Sequence, residues 1–118
     1  MFKITELNHV GIAVSNLEEG TSLFKEKFGL PPSDIIESES RGIRVGVINV
    51  GNSILELIEP TDKNGSVAKF LEKQGHNAIH HLAFSVDRNL LDVAGDLKIL
   101  GVEMISPKPT IGILGHPI

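Results

Sequence analysis

The chain has no cysteine, no tryptophan and no tyrosine among its 118 residues. Without thiols it can form neither a disulfide nor a thiolate metal centre, so any ion it binds must sit on nitrogen and oxygen donors. The same lack fits a reducing cytoplasm, the compartment expected here. Basic residues are also few: 11 Lys and Arg stand against 15 Asp and Glu, a net charge of −4. They are scattered, with no patch to neutralise a phosphate backbone, so nucleic acid is not an expected partner. No apolar run approaches the roughly 20 residues that span a bilayer, and the N-terminus lacks the apolar core of a signal peptide, so no membrane association is expected. What remains is a chain of ordinary globular composition, 41% hydrophobic and 22% charged. Its length suits one domain over residues 1–118, too short for two independent cores.

Within that length the sequence repeats itself. His9-Val10-Gly11-Ile12-Ala13-Val14 has the same shape as His81-Leu82-Ala83-Phe84-Ser85-Val86, at an offset of 72 residues. The echo continues: Ser15 matches Asp87, both suited to a helix N-cap, and Phe28-Gly29-Leu30 matches Leu100-Gly101-Val102, a helix end followed by glycine. Few identities survive, but size and polarity are kept, which marks an internal duplication.

Module one covers about residues 4–60. Ile4 to Val14 is β-branched and extended, and Ser15 opens a helix with Glu18 at capping-box spacing and Leu17, Thr21, Phe24 and Phe28 on one face. Gly29 ends it, and Pro31 and Pro32 forbid continuation. Strands follow over 34–39, 43–50 and 53–59, separated by turns at Arg41-Gly42 and Gly51-Asn52. One strand, one helix and three strands make a β-α-β-β-β unit. A linker helix over 66–74, capped by Ser66 and closed by Gly75, falls outside the repeat. Module two, about 77–118, offers a strand to Val86, a helix over 87–100, a strand near 102–105 and the start of another near Ile118, fewer strands than module one. The fold class expected is α+β, paired β-α-β-β-β modules in an open, cup-shaped sheet, the second cut short at the C-terminus.

Strand alternation puts His9 on a face with Leu7, Gly11 and Ala13, and His81 with Ile79, Ala83 and Ser85. If two copies of one unit pack about a pseudo-twofold axis, both imidazoles reach the same cleft and make half of a metal site. Glu56 stands within Ile54-Leu55-Glu56-Leu57-Ile58, apolar on both faces, where a buried carboxylate would need a cation or hydrogen bonds. The bland alternatives stay open: strand histidines that serve structure alone, and an edge-strand carboxylate facing water. His80 points away from His81 and reads as structural, His76 and His116 as exposed loop residues. Glu37, Glu39, Arg41 and Arg44 form a solvated rim that could also meet an acidic ligand. By the repeat, Glu56 would find its counterpart at position 128, beyond Ile118. A natural chain roughly 15 to 20 residues longer, enough for a turn and a strand, is therefore expected.

These stretches, together with Asn52–Pro60, Ser66–Lys73, Pro109-Thr110-Ile111-Gly112 and Gly115-His116-Pro117-Ile118, resemble the vicinal oxygen chelate superfamily, and within it the methylmalonyl-CoA epimerases. The resemblance covers nearly the whole chain. It implies that His9, Glu56 and His81 are metal ligands for cobalt, manganese, nickel or zinc. It further implies an acyl-CoA thioester substrate, interconversion of 2R- and 2S-methylmalonyl-CoA through a metal-stabilised enolate, and a homodimer. A glyoxalase I-type lyase and a non-catalytic small-ligand binder are the alternative activities. The sequence departs from the family in two places: the chain ends before the strand bearing the fourth ligand, a glutamate also implicated in proton transfer, and Val45 stands where some members carry a glutamate base. The catalytic acid and base are therefore left unassigned.

Overall fold

A computed structural model describes every residue from Met1 to Ile118. In chain order the elements are β1 (Ile4–Ala13), α1 (Leu17–Phe28), β2 (Asp34–Ser38), β3 (Ile43–Val50), β4 (Ser53–Pro60), α2 (Ser66–Gln74), β5 (Ala78–Val86) and α3 (Leu90–Ile99). The class is α+β, an open mixed sheet of five strands in the order β2-β3-β4-β1-β5 with three helices. β2, β3 and β4 form an antiparallel meander, and β1 joins β4 in parallel. The expected strand 43–50 and linker helix 66–74 are found at those bounds. No helix is long and apolar enough to cross a membrane.

The chain divides into two compact units, one of Leu7–Ala83 and one of Met1–Glu6 with Phe84–Ile118. In the larger, α1 lies on one face of the sheet. Gly46 of β3 makes room for it: a Cβ there would stand 3.0 Å from Thr21 Cγ2 and 3.1 Å from Leu17 Cδ1. Val14, Leu17, Ile48 and Leu57 are the buried centre of this layer, with Ile12, Phe24, Leu30 and Leu55 packed against them. Each of the four buried side chains contributes about 1.5–3 kcal/mol of transfer free energy.

The start of α1 differs from the sequence expectation. Asn16, extended at φ −141°, is the N-cap, and its side chain accepts from Glu19 N–H at 2.9 Å. Ser15 instead donates its backbone N–H to Asn77 Oδ1 at 2.9 Å. The N–H of Leu17 is satisfied from β4, by Glu59 Oε2 at 2.7 Å. Gly29, in the left-handed region at φ 68°, ends the helix as expected. Helix α2 has Gly65 at its N-cap with no side-chain cap, so Ser66 is its first residue and not its cap.

In the smaller unit, Asp87 accepts from the Lys3 backbone N–H at 2.8 Å and returns its own N–H to Lys3 O at 3.1 Å. With that carboxylate engaged, capping of α3 falls to Asn89, which accepts from Leu91 and Asp92, and the helix begins at Leu90, not Asp87. No strand forms over 102–105, where no ladder hydrogen bonds are made and Ile105 is fully exposed. Near Ile118 the expected strand is reduced to a small hairpin: Thr110 and Ile118 exchange both backbone hydrogen bonds, and Ile111 bridges Pro117.

Candidate metal centre

The site lies on the sheet face opposite α1, within the larger unit. Leu57 and Gly46 pair across β4 and β3 and both meet α1 side chains or backbone. One residue along, alternation turns Glu56 and its neighbours to the other face: Gly11 pairs with Glu56 from β1, and Val47 from β3. Because β4 is the central strand, the edge-strand reading of Glu56 is removed. Glu56 is 4% exposed, and burial pushes its pKa up, opposed by the nearby His9 ring.

His9 and His81 meet beside it, bringing the repeated histidines together. Their Nε2 atoms are 3.0 Å apart and their rings stand perpendicular, centroids 5.1 Å apart. His9 Nε2 is 3.7 Å from Glu56 Oε1. One donor atom from each of His9, Glu56 and His81 can be chosen so that all lie within 4.8 Å of one another. Adjacent donors on a cation with bonds of about 2.1 Å are separated by roughly 3.0–3.4 Å, so this trio fits a divalent ion with a small adjustment. Two neutral imidazoles and one carboxylate suit cobalt, nickel, zinc or manganese. The small neighbours have a direct purpose. A Cβ on Gly11 would lie 2.7 Å from His81 Nε2 and closer still to Nδ1 and Cε1, so only glycine leaves the imidazole its place.

Burial, then the nearby His9 and His80 rings, hold His81 below the usual histidine pKa, which favours the neutral ring a metal requires. The outer nitrogens are engaged as well: His9 Nδ1 is 2.8 Å from Asn8 Oδ1, and His81 Nδ1 is 2.9 Å from His80 Nδ1. His80, read from sequence as pointing away and structural, therefore touches the site, and the Asn8 contact was missed altogether. Both could have been found, because Asn8 and His80 occupy equivalent places in the repeat.

The rest of the candidate residues lie elsewhere. His76 and His116 are exposed, as expected. Arg44 is committed to carboxylates, 3.1 Å from Glu18, 3.1 Å from Glu37 and 3.3 Å from Glu59, and so ties α1, β2, β3 and β4 together. Val45, fully buried, stands on the metal-site face of β3 two residues from Val47, and neither side chain can take a proton.

An α+β fold of three helices and an open, five-stranded mixed sheet matches the vicinal oxygen chelate fold. The chain belongs to the glyoxalase/bleomycin resistance protein/dioxygenase superfamily, whose family model matches residues 8–118. Among its relatives, the chain is similar to the human mitochondrial methylmalonyl-CoA epimerase, at 31% identity over 118 residues covering 100% of this chain and 66% of that protein. It is similar also to the ethylmalonyl-CoA/methylmalonyl-CoA epimerase of Cereibacter sphaeroides, at 32% identity over 98% of this chain and 86% of that one. A Streptomyces coelicolor methylmalonyl-CoA epimerase variant, solved in complex with 2-nitronate-propionyl-CoA, matches with a TM-score of 0.87 and 27% identity, covering 98% and 83% of the two chains. The chain spans slightly less than two thirds of the length of the mammalian relatives.

Proposed function

We propose that this protein is a metal-dependent epimerase acting on the 2-position of methylmalonyl-CoA, with His9, Glu56 and His81 as ligands to a divalent cation. The observation that supports this most is the convergence of those three donors on one sheet face in a chain whose relatives are epimerases of this substrate. A bound cation would supply Lewis-acid polarisation of the thioester carbonyl, lowering the cost of removing the neighbouring C–H proton. The protein's own contribution is the cradle. Gly11 leaves room for the His81 ring beside β1, β4 holds Glu56 at the sheet centre, and the lowered pKa of His81 favours its neutral ring. Val45 and Val47 wall the β3 side, so no base acts from there. The family resemblance extends the reading to a homodimer, which light scattering tests.

The deciding experiment follows methylmalonyl-CoA by NMR in D2O with the full-length protein and, in turn, cobalt, manganese, nickel and zinc. Exchange of the 2-proton is expected with at least one metal, and its loss in His9→Ala and His81→Ala. Absence of exchange with all four would overturn the proposal.

A further inference from the structure

We infer that Asn8 and His80 are paired positioning residues, one in each repeat, that hold the outer ring nitrogens of His9 and His81 and so aim both Nε2 lone pairs at one divalent cation. The inference rests on the metal reading above and concerns how this chain prepares its ligands.

Each residue directly precedes a ligand histidine, at the same 72-residue separation as the ligands themselves. Neighbouring strand residues ordinarily point to opposite faces. Here both nonetheless reach the Nδ1 of the following ring, Asn8 through Oδ1 at 2.8 Å and His80 through Nδ1 at 2.9 Å. An amide oxygen only accepts, so neutral His9 carries its proton on Nδ1 and leaves a lone pair on Nε2. That lone pair faces His81 Nε2 at 3.0 Å.

His80 differs because an imidazole nitrogen can either accept or donate. Its ring sits edge-on against Phe70 of α2, centroids 4.8 Å apart, which steadies its orientation. Without a cation, the short contact between the two Nε2 atoms requires His81 to donate from Nε2 to His9. His81 Nδ1 then accepts from His80 Nδ1–H. With a cation, His81 Nε2 must offer a lone pair, so its proton resides on Nδ1 and is donated to His80, whose own proton resides on Nε2. The three neutral rings carry three protons in both states; only the tautomers of His80 and His81 change. Asn8 is thus a fixed hold and His80 a reversible one, and a second interaction of this kind is the usual means of orienting a ligating histidine.

Two-dimensional 1H–15N spectra of the histidine rings in the full chain, metal-free and with Zn²⁺, test this without reference to catalysis. The expected result is Nδ1–H at His9 in both states, with His81 moving from Nε2–H to Nδ1–H and His80 from Nδ1–H to Nε2–H on adding zinc. By calorimetry, Asn8→Ala and His80→Ala should each weaken Zn²⁺ binding by about 10- to 100-fold, the range for lost outer-shell partners. His80→Asn, which supplies an amide oxygen as Asn8 does, should restore nearly wild-type affinity. Melting curves establish that each variant is folded; if Asn8→Ala is not, Asn8→Asp keeps the acceptor and is expected to bind zinc at least as well as wild type. Zinc binding with unchanged affinity in the alanine variants, or Nε2–H at His9 in the metal-free protein, overturns the positioning role alone. A wild-type chain that binds none of zinc, cobalt, nickel and manganese overturns the metal reading and this inference with it.

Discussion

At the scale of single residues, Gly11 and Glu56 carry opposite kinds of demand. Gly11 is required by space, because any side chain would occupy the volume of the His81 ring. Gly11→Ala should therefore destabilise the protein by about 1–3 kcal/mol, the usual cost of overpacking, and displace a ligand. A thermal melt and a Zn²⁺ titration check both effects, and retention of wild-type affinity would contradict the placement of His81. Glu56 is required by charge. Burial raises its pKa above the ordinary 4.5, so the folded state binds its proton more tightly than the unfolded chain does. Its stabilising contribution is present at low pH and is lost as pH rises through the folded value. For His81 the sign reverses: a folded pKa below 6.5 means that stability is full above that pH and declines as pH falls through the interval below it. Metal-free Glu56→Gln should accordingly melt higher than metal-free wild type at pH 7, with the difference vanishing near pH 4. Denaturation of both proteins in a chelator across that range measures it.

At the scale of elements, the caps show how tertiary contacts reassign local signals. Ser15 and Asp87 both have the chemistry of N-caps, and neither serves as one. Asp87 is bound to the Lys3 backbone, and the Ser15 N–H meets Asn77, so Asn16 and Asn89 take over one and two residues later. Asn16→Ala is expected to cost about 1 kcal/mol, while Ser15→Ala costs much less. Urea denaturation of the two variants separates them, and equal losses would argue against the observed cap. By contrast, the bounds of β3 and the end of α2 were legible in the sequence. The turns at Gly42 and Gly51 bound a run rich in β-branched residues, and Gly75 closes a short amphipathic helix. Those signals are local and nothing in the fold competes with them. The stretch 102–105 is equally β-branched in part, but a strand exists only beside another strand, and no ladder is formed there.

At the scale of the whole molecule, a cation bound by groups from β1, β4 and β5 links strands far apart in sequence, so binding should stabilise the fold as a unit. At a free Zn²⁺ concentration 100 times the dissociation constant, the gain is about 2.7 kcal/mol. Melting temperature should rise with added zinc, return with chelator, and fail to respond in His81→Ala; an equal response in that variant would place the ion elsewhere. The sequence by itself determined the duplication, the α+β class, most strand and helix bounds of the first module, and the three residues that could share an ion. All of these follow from periodicity, turn chemistry and the repeat, which are properties of neighbours along the chain. Only the tertiary structure decided that β4 is central, that Glu56 is consequently buried beside His9, that Arg44 is consumed by three glutamates, and that Asn8 and His80 reach the outer nitrogens of the paired histidines. The physical reason is that burial, pairing order and side-chain reach are set by what packs alongside from distant parts of the chain.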